Sequence, residues 1–413
     1  MTARSYYFNL STISEFNKIT NSCNKCDEDS PKLLKTIVKY ENYKIIHYSK
    51  DSLTYELIPT YGLFRSVVLN NTNDVVCFSP PKSIPCDIFM SKYSNKTSNI
   101  VAEEYIEGTM INVFWDKHIF EWNISTRNTV GGNTYFYKTE KSKTFKTMFF
   151  EALQENNLIL SELNPVYCYS FVLQHPENRI VVPISKPQLY LVSMYLIDNK
   201  DKNNVKVFFI NMQDVKYFGW VNTTIKFPKI YEWSSYTDLI NNYASMNTSY
   251  DIMGVIIYNT DTFERTKIRN PVYEEVKALK GNQPKLQYQY LSLRKEGKVN
   301  EFLKYYPENK TECSVFREQI HLFTSTLHNN YTSCYIHKEK QLNQYSNQYK
   351  THMYNLHKMY IDELREKKLY ITKQIVINYV NNLHPSLLMH SLNYNMNKQT
   401  VDGIKAETQT QLF

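Results

Sequence analysis

CYSFVLQHPENRIVV, residues 168–182, is the stretch on which the fold turns. With the preceding Val166 and Tyr167, its first half is an apolar run rich in aromatic and β-branched residues, which reads as a strand. His175 to Asn178 interrupts it with a proline and polar side chains, and RIVVPI (179–184) then reads as a second strand. The same rhythm of strand and turn extends both ways. Upstream lie TIVKY (36–40), YKIIHYS (43–49), LFRSVVL (63–69), DVVCFS (74–79), EYIEGTMINVFWD (104–116) and HIFEWNIST (118–126). Downstream lie QLYLVSMYLI (188–197), KVFFIN (206–211) and DIMGVIIYN (251–259). NNTND at 70–74 is a turn that makes a hairpin of its flanks, with Pro80 and Pro81 ending the second strand. Within this β-rich region, SKTFKTMFFEALQENNLILSE (142–162) instead sets Phe145, Met148, Phe149 and Leu153 at helical spacing, with Thr144 as a cap.

Beyond about Leu279 the strand rhythm stops. Phe316, Ile320, Phe323 and Leu327, and then Leu356, Tyr360 and Leu364, recur at the three- and four-residue intervals of amphipathic helices. Gly281 and Pro284 mark the change. At 413 residues the chain exceeds what one core usually serves. The organisation expected is a β-rich domain over 1–285, a basic helical domain over 286–395 and a frayed tail over 396–413.

Net charge is +8, and its distribution says more than its size. From Lys267 onward there are 21 Lys and Arg against 13 Asp and Glu, so the excess of 8 lies entirely in the C-terminal part. RKEGK (294–298) and REKK (365–368) contribute to it. A surface of this kind suits a polyanion, whose counterions are released on binding, and equally suits a solvated helical domain. The 35 Tyr and 21 Phe supply rings on which bases can stack. Seven cysteines, an odd number, argue against a disulfide framework and for a reducing compartment; Cys23 and Cys26 form one close pair, a weak metal signal. The ten histidines show no zinc spacing. With no signal segment and no run of 18 apolar residues, the expectation is a soluble, intracellular, cytoplasmic protein that meets no membrane.

Three segments in order, VAEEYIEGTMINVFW (101–115), CYSFVLQHPENRIVV (168–182) and DIMGVIIYNTDTFERTKIRNPVY (251–273), resemble the nucleotidyltransferase core of ATP-dependent RNA ligases, the bacteriophage T-even RNA ligase 1 family above all. The resemblance covers roughly residues 40–285 and implies an α+β core of antiparallel sheets with flanking helices, followed by an all-helical domain that in the family helps recognise tRNA. It also implies ATP with Mg as cofactors. In the family the first motif is Lys-x-Asp-Gly, whose lysine attacks the α-phosphorus of ATP; here those positions are Tyr105, Glu107 and Gly108. The second motif agrees at Phe171, Pro176, Asn178, Arg179, Ile180 and Val181, yet its carboxylate is Val172. In the third the carboxylate before Gly254 is Met253, with Asp251 two residues earlier, and the closing Lys-x-Lys is Lys267 and Arg269. Arg65 matches an Arg-Gly element, with Ser66 for the glycine, and Arg127 a basic residue of the nucleotide pocket.

The resemblance thus places Arg65, Tyr105, Glu107, Gly108, Arg127, Phe171, Lys267 and Arg269 around a nucleotide, with Phe171 stacked on the purine and no metal ligand retained. A phenol ordinarily stays protonated near neutral pH. Losing the lysine and both carboxylates removes the charges on which metal-assisted phosphoryl transfer depends. The reading is therefore an RNA ligase-like protein that binds RNA, through tRNA-like features or 5′-phosphorylated ends, and ATP, without turnover. Two alternatives stand beside it: an active ligase with a relocated nucleophile, Tyr105 or Lys117, and a structural or virion interaction protein. SPPKS (79–83) and HPENR (175–179) also resemble ligase-like proteins of large DNA viruses, which implies the host cytoplasm or the virion.

Overall fold

The computed structural model describes residues 6–21, 33–37, 42–135, 142–215, 219–396 and 399. Cys23, Cys26 and nearly all of the C-terminal tail lie outside the described residues. Among the described residues are thirteen strands: β1 (Tyr7–Asn9), β2 (Leu34–Ile37), β3 (Tyr43–Tyr48), β4 (Val67–Asn70), β5 (Val75–Phe78), β6 (Ile100–Glu104), β7 (Thr109–Asp116), β8 (Glu121–Ser125), β9 (Tyr167–Gln174), β10 (Gln188–Asp198), β11 (Lys206–Ile210), β12 (Gly254–Asn259) and β13 (Arg265–Arg269). They form three antiparallel sheets, in the orders β1-β11-β10-β9-β7-β8, β13-β12-β6 and β2-β3-β4-β5. With helices beside them, this is the α+β architecture expected from the sequence.

The six-stranded sheet buries one face against the helix Phe145–Glu155. Ile111, Phe171, Leu173, Leu189 and Leu191 meet Met148, Phe149 and Leu153 there in one apolar cluster. Thr144 caps that helix, its hydroxyl accepting from the Thr147 N–H at 3.1 Å. The NNTND turn joins β4 to β5 with Asn73 at φ 59°, and the Asn70 side chain accepts from the N–H groups of Thr72 and Asp74. In the three-stranded sheet Ile100, Ala102, Val255 and Ile257 pack with Phe89, Trp233 and Leu239 on one face. The opposite face carries the polar residues of the site.

RIVVPI departs from the expectation. It is irregular chain rather than a strand, because the N–H groups of Val181 and Val182 donate to the Glu107 carboxylate instead of to a neighbouring strand.

The chain divides into two compact units, Met1–Lys277 and Ala278–Phe413. The division falls within the helix Pro271–Lys280, ahead of the Gly281 and Pro284 break. Residues just after it belong with the second unit because the Gln289 amide donates to the Leu279 carbonyl at 2.7 Å and covers Gly281. That unit is helical, with its longest helix over Lys310–Tyr331. Ile320, Phe323 and Leu327 are buried on it at the spacing read from the sequence; on Asn347–Met359 Met353 and Leu356 are buried, whereas Tyr360 and Leu364 lie in the π-helical turn Tyr360–Leu364 that follows and are only half-buried. His352 is buried with its ring nitrogens 2.9 Å from the Tyr379 and Ser391 hydroxyls, a satisfied core histidine. No described helix is long and apolar enough to cross a membrane.

Candidate functional site

Strand alternation builds the site. On β13, Arg265, Lys267 and Arg269 share one face while Thr266 and Ile268 take the other. Lys267 pairs with Ile256 of β12, which pairs with Glu103 of β6, so these three stand in one row across the sheet. Tyr105 follows two residues after Glu103. The six-stranded sheet answers with Val172 of β9, directly opposite Met110 of β7. Between the sheets lies a cavity of about 180 Å³ whose walls include Arg65, Tyr105, Gly108, Val172, Met253 and Lys267.

The chain crosses from one sheet to the other at Tyr105–Gly108, and two glycines allow the close approach. A Cβ on Gly108, at φ 151°, would stand 2.5 Å from the Leu173 carbonyl oxygen, and one on Gly254, at φ 133°, 2.1 Å from that of Ile268. The Tyr105 N–H donates to the Gly254 carbonyl at 3.2 Å, and the Gln174 amide donates to the Glu107 carbonyl at 2.9 Å.

Glu107 is turned away from the cavity. It is 4% exposed, and its carboxylate accepts from the N–H groups of Val181 and Val182 at 3.1–3.2 Å. Burial, and then this neighbouring carboxylate, raise the Tyr273 hydroxyl far above its ordinary value. Asn178 adds a second tie, its amide donating to the Thr109 hydroxyl at 2.8 Å. The PENR segment thus clamps the crossing. Phe171 is likewise sealed in the core beside Phe149, ring centroids 6.2 Å apart, with 0% of its surface open, so it offers no face to a base. Asp251 lies in an exposed turn before β12, outside the strand register that would aim it with Met253. Lys117 is paired with Asp74 at 3.6 Å and is not part of the cavity wall.

The site is strongly cationic. The Lys267 Nζ lies 2.9 Å from the Tyr105 hydroxyl and 4.5 Å from its ring centroid. Burial, then Arg265, Arg65, Arg269 and Lys82, push the Lys267 amine down to about 6. Burial also lowers Arg65, with Arg265 and Arg127 adding to it, and Lys82 is lowered by burial, Arg65, Arg127 and Arg269. Arg127 sits over the Tyr48 ring at 5.3 Å, and Arg269 is ion-paired with Glu274 at 3.0 Å. Burial pushes Glu103, on the cavity wall, up to about 8, against the pull of Arg265, so it is largely protonated at neutral pH. Arg265, Lys82 and Glu103 were not picked out from the sequence. Arg265 was within reach, because it alternates with Lys267 and Arg269 on one strand.

A divalent metal finds few donors. Val172 has none, Met253 offers a thioether where Mg²⁺ takes oxygen, Glu103 is held protonated, and Glu104, the other wall carboxyl, accepts from the Lys229 N–H at 3.3 Å. Among the described residues no group of three or more His, Cys, Asp or Glu is placed to hold an ion. The cations suit the phosphates of a nucleotide; the donor set does not suit the metal.

No family model matches the chain. An RNA ligase of Rhodothermus phage RM378 is 23% identical over 209 residues, covering 43% of this chain and 45% of that protein. An immediate-early protein ICP-46 homolog of Invertebrate iridescent virus 6 is 25% identical over 256 residues, covering 58% and 54%. The chain spans about half the length of these curated relatives. Among solved structures, an archaeal ATP-dependent RNA ligase has a TM-score of 0.38 at 11% identity, covering 69% of this chain and 72% of that one. A Naegleria gruberi RNA ligase mutant with ATP and Mn has a TM-score of 0.36 at 13% identity, covering 48% and 57%. The chain is thus weakly similar in sequence to a viral RNA ligase.

Proposed function

We propose that this chain is an RNA ligase-like protein that holds the phosphate of a nucleotide or of an RNA 5′ end and does not transfer it. One observation carries the reading. The three positions matched to the ligase lysine and its two carboxylates, Tyr105, Val172 and Met253, face the same cavity as Arg65 and Lys267. The Arg65 guanidinium and the Lys267 amine, which an adjoining phosphate would help to protonate, are kept for binding, while other residues stand at the matched nucleophile and carboxylate positions. The motif order supports placing the chain beside the bacteriophage T-even RNA ligase 1 group, and both curated relatives come from viruses. Basic residues of the second unit would add sequence-independent affinity for RNA.

The test has two parts. Incubation with α-labelled ATP and a divalent metal, followed by denaturing electrophoresis, should leave the protein unlabelled. Fluorescence anisotropy should show salt-dependent RNA binding that favours a 5′-phosphate over a 5′-hydroxyl. Reversing Lys267 and Arg269 to Glu should remove that preference. Equal affinity for both ends in the parent protein would sink the reading.

A second reading, an active ligase with a relocated nucleophile, draws on the Lys267 amine, unprotonated at neutral pH and touching the Tyr105 hydroxyl. Label that survives denaturation and is lost in Lys267→Met would favour it.

A further inference from the structure

Building on that phosphate-binding reading, we infer that the cavity takes its phosphate group free of divalent metal, with protein cations standing where the ligases use an ion. Three features of the cavity and its surroundings lead there.

The first is the donor set. Magnesium is held by carboxylates together with substrate phosphates. Here the wall offers Val172 and Met253 at the two matched positions; of its two carboxyls, Glu103 is pushed up to about 8 by burial, and Glu104 accepts from the Lys229 N–H at 3.3 Å.

The second is the crowding of like charge. Arg65, Lys82, Arg127, Arg265, Lys267 and Arg269 lie close enough that each of the lowered groups among them is lowered by several of the others. Repulsion among these groups, to which Lys267 yields its proton near pH 6 and which the Arg269–Glu274 pair offsets in part, is relieved when an anion sits among them. A bare phosphate brings two negative charges. A phosphate already neutralised by Mg²⁺ brings almost none, so it would relieve the repulsion least.

The third is a set of unused donors. Arg127 Nε and Arg265 Nε are buried with no hydrogen-bond partner among the described residues, as are the hydroxyls of Ser79 and Ser83, which flank Lys82 and the cavity-wall Pro81. Ser79 is only 3% exposed. Of these residues Arg265 is on the cavity wall, and since a buried donor left unsatisfied costs about 1–3 kcal/mol, its Nε points to an acceptor in the cavity. Phosphate oxygens are acceptors only.

Binding of ATP, and of RNA carrying a 5′-phosphate, is to be measured with the full chain by calorimetry or anisotropy in EDTA and again in excess Mg²⁺. The expected result is affinity in EDTA equal to or greater than that in Mg²⁺. Arg265→Gln or Lys82→Gln should lose about tenfold in affinity in EDTA, the loss of one charge-assisted hydrogen bond, with an unchanged circular dichroism spectrum. Val172→Glu combined with Met253→Glu should weaken binding in EDTA and restore it with Mg²⁺. Affinity that requires Mg²⁺ in the parent protein overturns the metal-free inference and leaves the phosphate site standing. Absence of binding under both conditions overturns the site itself.

Discussion

The Nζ of Lys267 stands 2.9 Å from the hydroxyl of Tyr105, the residue that the proposed reading matches to the ligase lysine. One amine thus approaches the place from which another is missing. The contact joins β13 to the segment that follows β6, two elements separated by β12 in the sheet. On the proposed reading its chemistry differs from that of the ligases, because Val172 and Met253 stand at the two matched carboxylate positions on the same cavity.

The first prediction concerns that loss. Tyr105→Lys alone should not restore transfer of AMP, since the metal stays unsupported. Tyr105→Lys with Val172→Glu and Met253→Glu should yield label from α-labelled ATP that resists denaturation, because all three positions open on one cavity. Restoration by the single change would show that the missing carboxylates do not matter.

Lys267 should make stability depend on pH in a defined direction. Its amine titrates near 6 in the folded protein and near 10.5 when unfolded, so between those values the unfolded chain binds the extra proton. Stability from this group therefore rises with pH across that window, by up to about 1.4 kcal/mol per pH unit. Lys267→Met should stabilise the protein most below pH 6 and hardly at all above pH 10.5. Denaturant melts at several pH values would show it, and a gain that grows with pH would refute the assignment.

Glu103 should act with the opposite sign. Its carboxyl titrates near 8 when folded against 4.5 when unfolded, so the folded state keeps a proton the unfolded state has lost. Its contribution is fully present below pH 4.5 and falls as pH rises to 8. Glu103→Gln should be neutral at the acid end and stabilising above 8. Between pH 6 and 8 the two groups oppose each other, so the parent protein should look flatter there than either variant. Melts of Glu103→Gln that match the parent at every pH would show that this carboxyl ionises as freely as an exposed one.

Glu107 and Gly108 should prove structural. Glu107→Ala strips the acceptor from the buried N–H of Val181 and the half-buried N–H of Val182, and should cost about 2–4 kcal/mol. Gly108→Ala drives a methyl against the Leu173 carbonyl and should be at least as damaging. Thermal melts that moved little for either variant would mean the crossing is not clamped as described.

The strand and helix rhythm was legible in the chain. The apolar run CYSFVLQ was legible as a strand, and the motif order groups Arg65, Tyr105, Val172, Met253 and Lys267, all of which line one cavity. RIVVPI misled because its apolar pattern matches a strand, although its N–H groups are taken by a side chain 74 residues away. Phe171 misled for a related reason, since an aromatic on a strand next to a site residue looks available until the helix Phe145–Glu155 covers it.

By itself, then, the sequence determined the α+β class, the helical second part, the excess of basic charge there and the uncharged side chains at Tyr105, Val172 and Met253. These are properties of spacing and residue type, which are local. Only the tertiary structure decided which face of each strand looks into the cavity, that Glu107 serves the fold, and that Lys82, Arg265 and Glu103 join the site. Those outcomes depend on how two sheets pack across a gap, and there burial and neighbouring charge together push an amine down to about 6 and a carboxyl up to about 8.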